Sequence, residues 1–194
     1  MAHATKQQLM EHGVEMLLIR GYNDLGIAAL LEATRIPKGS FYHHFRSKQD
    51  YALQVIDLYM EEVHAGLESC LGDTSRPPLE RIRYFFEVSE ENYRTQGYMG
   101  CLLGGLGQEL SGVSEVFRQK VEECLDQIAG RLADCLHEAI RRAELPPEAN
   151  PEKLAELLVN CWEGAALRTR LRRDPAPLRD MLDFYFAAAA VPRE

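Results

Sequence analysis

No run of alternating apolar and polar residues bounded by hairpin turns occurs in this 194-residue chain, so the ordinary signature of a β-strand is missing. Its five cysteines (Cys70, Cys101, Cys124, Cys135, Cys161) are odd in number. They show neither CxxC spacing nor a neighbouring histidine pattern, which argues against a disulfide framework and a structural zinc and leaves reduced thiols. Long hydrophobic runs are absent as well: the longest, Phe184–Val191, is far too short to span a bilayer. The opening stretch MAHATKQQLMEHGVEML carries Glu11 and Glu15 and lacks the basic and apolar regions of a secretory signal, so a cytoplasmic chain with no membrane partner is expected. There is no HExxH, GxSxG, P-loop or dinucleotide-type glycine fingerprint, and no enzyme, catalytic residue, metal or cofactor is expected. Positive charge is in deficit, with 22 Lys and Arg against 30 Asp and Glu.

What is present is helical periodicity from end to end, on an ordinary globular composition of 46% hydrophobic and 27% charged residues. The net charge of −8 is unevenly spread. Residues 1–55 carry six cations (Lys6, Arg20, Arg35, Lys38, Arg46, Lys48) against five anions (Glu11, Glu15, Asp24, Glu32, Asp50), a net +1 that leaves −9 on the remainder. The same head holds four of the six histidines, so any contact with nucleic acid belongs to the N-terminal quarter. Thr5 and Gln8 read as a capping box before a helix buried along Leu9, Gly13, Met16, Leu17 and the stem of Arg20, stopped by Gly21. Helices are expected over about Ile27–Thr34 and Lys38–Phe45 around a turn at Arg35–Pro37, and Ser47 with Asp50 caps another to about Cys70.

After Leu71–Pro78, the best internal boundary, further helices are expected: Pro78–Thr95, one opened by the Gly97–Gly107 stretch and ending near Leu110, and a long one from Ser114 to about Ala143. Along the long helix Phe117, Val121, Cys124, Leu125, Ile128, Leu132, Cys135, Leu136 and Ile140 keep a 3.6-residue stripe. Asn150-Pro151 and Asp174-Pro175 each read as an N-cap followed by proline at the first helical position. The two helices they open carry Leu154, Leu157, Leu158, Cys161, Trp162 and Ala165, then Leu178, Met181, Leu182, Tyr185 and Phe186. That is more apolar surface than a terminal hairpin needs for its own core, and a homodimer through the last two helices is expected.

The segment Gly21–Lys48, GYNDLGIAALLEATRIPKGSFYHHFRSK, is the most informative in the chain. Phe41 and Phe45, four residues apart, share a face and anchor the third helix, leaving Lys38, Ser40, Tyr42, His43 and His44 for other faces. Gly39 permits close approach of the helix start to a phosphate backbone. Lys48 stands in the first turn of the next helix, against the dipole, where a phosphate contact explains it. The alternative is an aromatic core corner edged by solvated polar residues. The run Arg168–Arg173 closes a helix, where cations complement the dipole, and reads as a solvated end.

Residues about 5–60, and Gly26–Lys48 with PKGSFYHHF and RSK most closely, resemble the DNA-binding domain of the TetR/AcrR family of bacterial regulators. Within that family the segment is similar to the branch of electrophile- and acrylate-responsive repressors, and weaker similarity continues through GCLLG, QEL and WEG. The resemblance implies an all-α, TetR-like fold of about nine helices. It comprises a three-helix helix-turn-helix reader at residues 1–47 and a helical ligand-binding and dimerisation domain at residues 48–194. It further implies a homodimeric repressor on palindromic double-stranded operator DNA, with Lys38, Gly39, Ser40, Tyr42, His43 and His44 at DNA and Lys48 on phosphate. Gly26 stands where many members carry a threonine that caps the second helix and touches phosphate.

For a small-molecule or electrophilic inducer the body offers Tyr59, Phe86, Tyr93, Cys101, Phe117 and Trp162, each of which also reads as core. Gly100-Cys101 falls where a helix begins, a position that lowers a thiol's pKa and favours reaction with electrophiles or oxidants, and the resembling branch has a redox-sensitive cysteine in a similar context. The competing functions are a helical ligand-binding protein or an enzyme of this fold without DNA binding.

Overall fold

The computed structural model describes residues 2–189, with side chains described from residue 5; the end of the Phe184–Val191 run lies outside the described residues. Among the described residues there are nine helices and no strand: α1 (Ala2–Arg20), α2 (Ile27–Thr34), α3 (Lys38–His44), α4 (Lys48–Leu71), α5 (Pro78–Thr95), α6 (Leu102–Leu110), α7 (Glu115–Arg141), α8 (Pro151–Arg172) and α9 (Ala176–Ala189). The all-α reading of about nine helices holds among the described residues. The chain divides into two compact units, Met1–Glu62 with Cys101–Glu122, and Val63–Gly100 with Glu123–Glu194.

The first unit gathers α1–α3, most of α4, α6 and the start of α7. Its core at the helix-turn-helix is a knot of three rings, with Phe41 5.1 Å from Phe45 and both near Tyr51, at 5.2 and 4.9 Å. All three are buried, and Tyr51 donates its hydroxyl to the Leu9 carbonyl at 2.7 Å, tying α4 to α1. Burial of this kind contributes about 1.5–3 kcal/mol for each phenylalanine. Glycine at position 13 makes room for the arrangement: a Cβ there would land on the Tyr51 hydroxyl and lie 2.7 Å from Val55 Cγ2. At the end of α1 Gly21 takes φ +73°, which stops the helix as expected.

Several sequence expectations for this unit need correction. α1 begins at Ala2, so Thr5 lies inside the helix and does not cap it; Gln8 instead donates weakly to the Thr34 carbonyl at 3.4 Å. Met16 is half-buried and Arg20 exposed, because the face that meets the core is set by Leu9, Gly13 and Leu17. Ser47 and Asp50 do cap α4, the Asp50 N–H donating to Ser47 Oγ at 3.0 Å. The Asp50 carboxylate, however, accepts from the Arg46 N–H at 2.8 Å, one residue earlier than a standard capping box.

The second unit holds α5, the bulk of α7, α8 and α9. The Phe86 ring lies tilted 4.7 Å from Trp162, which also lies 5.8 Å from Tyr93, and all three are buried. Arg81, 3% exposed, donates to the Leu71 carbonyl at 2.6 Å and pairs with Glu138 at 2.6 Å. Asn150 caps α8 by accepting from the Lys153 N–H at 2.9 Å, with Pro151 in the first turn. Asp174 likewise accepts from the Ala176 N–H at 2.9 Å. Pro175 precedes α9 rather than opening it, because its carbonyl already receives the Leu178 and Arg179 amides. The α8–α9 hairpin is closed by the Tyr185 hydroxyl on the Leu154 carbonyl. The cations of Arg168–Arg173 are all exposed, as a solvated helix end requires.

Candidate nucleic-acid interface and sensor residues

The turn that sets α2 against α3 is built from backbone chemistry. Arg35 ends α2 in the left-handed region, φ +56°, and its N–H returns to the Glu32 carbonyl while the Ile36 N–H reaches that of Leu31. Ile36 is buried and Pro37, in extended conformation, precedes the first residue of α3. On this seven-residue helix Phe41 points into the ring knot, so its neighbours face outward: Lys38, Gly39, Tyr42 and His43 are exposed, and Ser40 and His44 half-buried. Tyr42 is 51% exposed although an aromatic ring of its size usually finds cover, and its edge meets Phe41 at 5.3 Å. His43 and His44 are ring neighbours at 5.1 Å. The His44 pKa is lowered by desolvation, then by the nearby His43 and Lys6 charges.

Two glycines carry separate messages. Gly39 has ordinary helical backbone and a Cβ there would meet nothing, so protein packing does not require the residue, although glycine costs a helix interior about 1 kcal/mol against alanine. Gly26 precedes α2 at φ −89°, ψ 122°, with no side chain to cap the helix. Lys48 has an intramolecular role that sequence reasoning missed. Its ammonium lies 4.6 Å from the centre of the Tyr22 ring and donates to the Asn23 carbonyl at 3.2 Å, leaving two of its three N–H bonds for other acceptors. Contacts spanning 25 residues leave no local pattern to read.

The six sensor candidates fall into two groups. Tyr59, Cys101 and Phe117 belong to the first unit. Cys101 is the residue preceding α6, reached through a loop with positive φ at Gly97, Tyr98 and Gly100, and its sulfur lies 3.8 Å from the Tyr59 hydroxyl. It is half-buried, whereas Phe117 is buried against Tyr22 at 4.9 Å. Phe86, Tyr93 and Trp162 form the aromatic cluster of the second unit. Of the remaining thiols Cys70, Cys124 and Cys135 are buried, and burial pushes the Cys135 thiol up to about 11. Cys161 is half-buried, on the same side of α8 as the exposed Leu157. Among the described residues no group of three or more His, Cys, Asp or Glu could hold a metal ion, and no helix is long and apolar enough to cross a membrane.

Comparison with known proteins fits this geometry. Residues 9–55 match the family described as "Bacterial regulatory proteins, tetR family", and residues 78–185 match "Tetracyclin repressor-like, C-terminal domain". The chain is 38% identical over 178 residues to the transcriptional regulator AcuR of Cereibacter sphaeroides, covering 91% of this chain and 81% of AcuR. It is 27% identical over 181 residues to the HTH-type transcriptional repressor NemR of Escherichia coli K12, covering 93% of this chain and 91% of NemR. The crystal structure of reduced E. coli NemR superposes with a TM-score of 0.88 at 26% identity, covering 98% of this chain and 99% of that one. The crystal structure of regulatory protein TetR from Rhodobacter sphaeroides gives 0.91 at 36% identity, covering 95% and 98%. These relatives are transcriptional regulators, and the chain belongs to the TetR family of bacterial transcriptional regulators.

Proposed function

We propose that the protein is a cytoplasmic transcriptional repressor that binds a palindromic operator as a homodimer and is released by a small molecule or by an electrophile or oxidant. The observation that carries the reading is α3. Two buried phenylalanines fix the helix while Tyr42, His43 and Lys38 remain in solvent, and Gly39 leaves its first turn bare with no packing reason for doing so. A helix fixed on one side and offering aromatic, imidazole and ammonium groups on the other suits a major groove. Tyr42, His43, His44, Ser40 and Lys38 are the readers, and Gly26, Gly39 and Lys48 face phosphate. Residues 1–47 act as the reader and residues 48–194 as the ligand-binding and dimerising body.

Leu157 and Leu171 on α8 and Phe184 on α9, the last 77% exposed, favour pairing with a second copy through these helices. Two-fold pairing places half-sites about 34–36 Å apart, so that both readers enter successive major grooves. For the signal, Cys101 at the start of α6 beside Tyr59 is the sensor residue, with Phe86, Tyr93, Phe117 and Trp162 as further ligand candidates. The decisive experiment is a mobility shift on the DNA flanking the protein's own gene, with and without N-ethylmaleimide. Wild type should shift specific DNA and lose it on alkylation. Tyr42→Ala should abolish the shift while helical circular dichroism stays intact, and unchanged affinity in that variant would reject the assignment of α3. Cys101→Ser that still releases DNA on alkylation would reject the sensor.

A further inference from the structure

The loop between α1 and α2 is held by a carboxylate 86 residues away. Glu109, in the last turn of α6, accepts the Tyr22 N–H on Oε2 at 2.7 Å and the Asn23 N–H on Oε1 at 2.6 Å. The left-handed backbone at Gly21 turns these successive amides toward one point, an arrangement suited to an anion. A Cβ at Gly21 would stand 2.5 Å from Glu109 Oε2, so glycine there serves both the turn and the close approach of the carboxylate. Nothing in α6 itself favours an anion at this place, because the C-terminal end of a helix repels negative charge. The ring of Tyr22 has the Lys48 ammonium 4.6 Å from its centre and the Phe117 ring at 4.9 Å, and its partial burial raises the phenol's pKa.

This attachment matters because α2 has no side-chain cap at its N-terminus. Gly26 supplies only a backbone carbonyl, to the Leu30 N–H at 3.1 Å, so the direction in which α2 leaves the loop is set by what fixes residues 21–25. Leu25 supplies one anchor, being buried, Lys48 a second through the Asn23 carbonyl, and Glu109 the third, the one that holds two successive amides. We propose that Glu109 is the positioning residue for DNA reading: by gripping the Tyr22 and Asn23 amides it fixes the α1–α2 loop, and with it the α2–α3 pair, in operator-reading register. The inference rests on the reading of α3 as the DNA reader.

Electrostatics gives the test a sign. Removing a negative charge from the reading head strengthens attraction to any DNA, whereas loss of a positioning contact weakens binding to the specific site alone. The probes are a duplex selected from a random pool with the wild-type protein and an unselected random duplex, measured against Glu109→Gln, Glu109→Ala and Gly21→Ala. Loss of charge-assisted hydrogen bonds of this type should weaken the selected duplex by about tenfold or more in each variant, with random-duplex affinity equal or higher and the salt slope unchanged. Amide exchange at Tyr22 and Asn23 should accelerate in step. Glu109→Gln keeps shape and volume, so it answers the question if the alanine variant fails to fold. Selected-duplex affinity equal to or above wild type in folded Glu109→Gln overturns the proposal. Failure of the wild type to select any duplex instead overturns the DNA-reading assignment, and the proposal with it.

Discussion

Replacing Gly13 by alanine sets two effects of opposite sign against each other inside α1. The exposed-helix expectation is a gain of about 1 kcal/mol, since alanine orders with less entropy loss than glycine. The site is not exposed. The new Cβ would land on the Tyr51 hydroxyl, with Val55 Cγ2 at 2.7 Å and Tyr51 Cζ at 2.9 Å. Tyr51 cannot step aside freely, because its ring is packed against Phe41 and Phe45 and its hydroxyl is committed to the Leu9 carbonyl. Overpacking of this kind costs about 1–3 kcal/mol, and a lost buried hydrogen bond about 1 kcal/mol more, so the net expectation is destabilisation by about 1–3 kcal/mol. Urea titration followed by circular dichroism, at fixed protomer concentration because association shifts apparent stability, measures it. Tyr51→Phe removes the atom that the new methyl meets, so the double variant should recover part of the loss, with a coupling of about 1 kcal/mol. A Gly13→Ala protein more stable than wild type, or strict additivity in the cycle, would refute the close-packing account.

Other outcomes follow from the same geometry. Lys48→Ala should weaken binding to every DNA sequence and lower the salt slope by about one unit, since the ammonium keeps two N–H bonds for phosphate; an unchanged slope with reduced specificity would leave Lys48 only its role on Tyr22 and Asn23. Operator affinity should rise as pH falls below 6.5, the ordinary histidine value from which His44 is lowered, because protonation adds charge at α3. A pH titration of wild type and His44→Gln by fluorescence anisotropy checks this, and a flat wild-type profile counts against it. Cys135 has its folded pKa raised from 9.0 to about 11, so its contribution to stability is fully present below pH 9 and lost as pH rises towards 11. Thermal melts across that window should show a steeper decline in wild type than in Cys135→Ala.

Local chemistry made much of the fold legible. α2 and α5 occur over the residues their patterns mark, because a left-handed turn residue ends one and Pro78 opens the other. The Phe41 and Phe45 anchors were readable from a four-residue spacing, and their burial leaves the neighbouring polar side chains outward. The start of α1 was not readable: Thr5 and Gln8 have the spacing of a cap, yet the helix continues through them. The contacts of Glu109, Lys48 and Arg81 were also hidden. Each joins a side chain to backbone groups 10 to 87 residues distant, and no helical or strand period encodes such a pairing.

That residues 101–122 fold with residues 1–62 bears on how such a regulator can be recombined. A chimera that grafts the N-terminal reader alone onto a foreign sensor discards the helix carrying Glu109 and leaves the amides of Tyr22 and Asn23 to water. A graft that keeps the unit whole takes a discontinuous piece of chain, with crossover points within α4, just before α6 and within α7, where a single cut at residue 47 would break it.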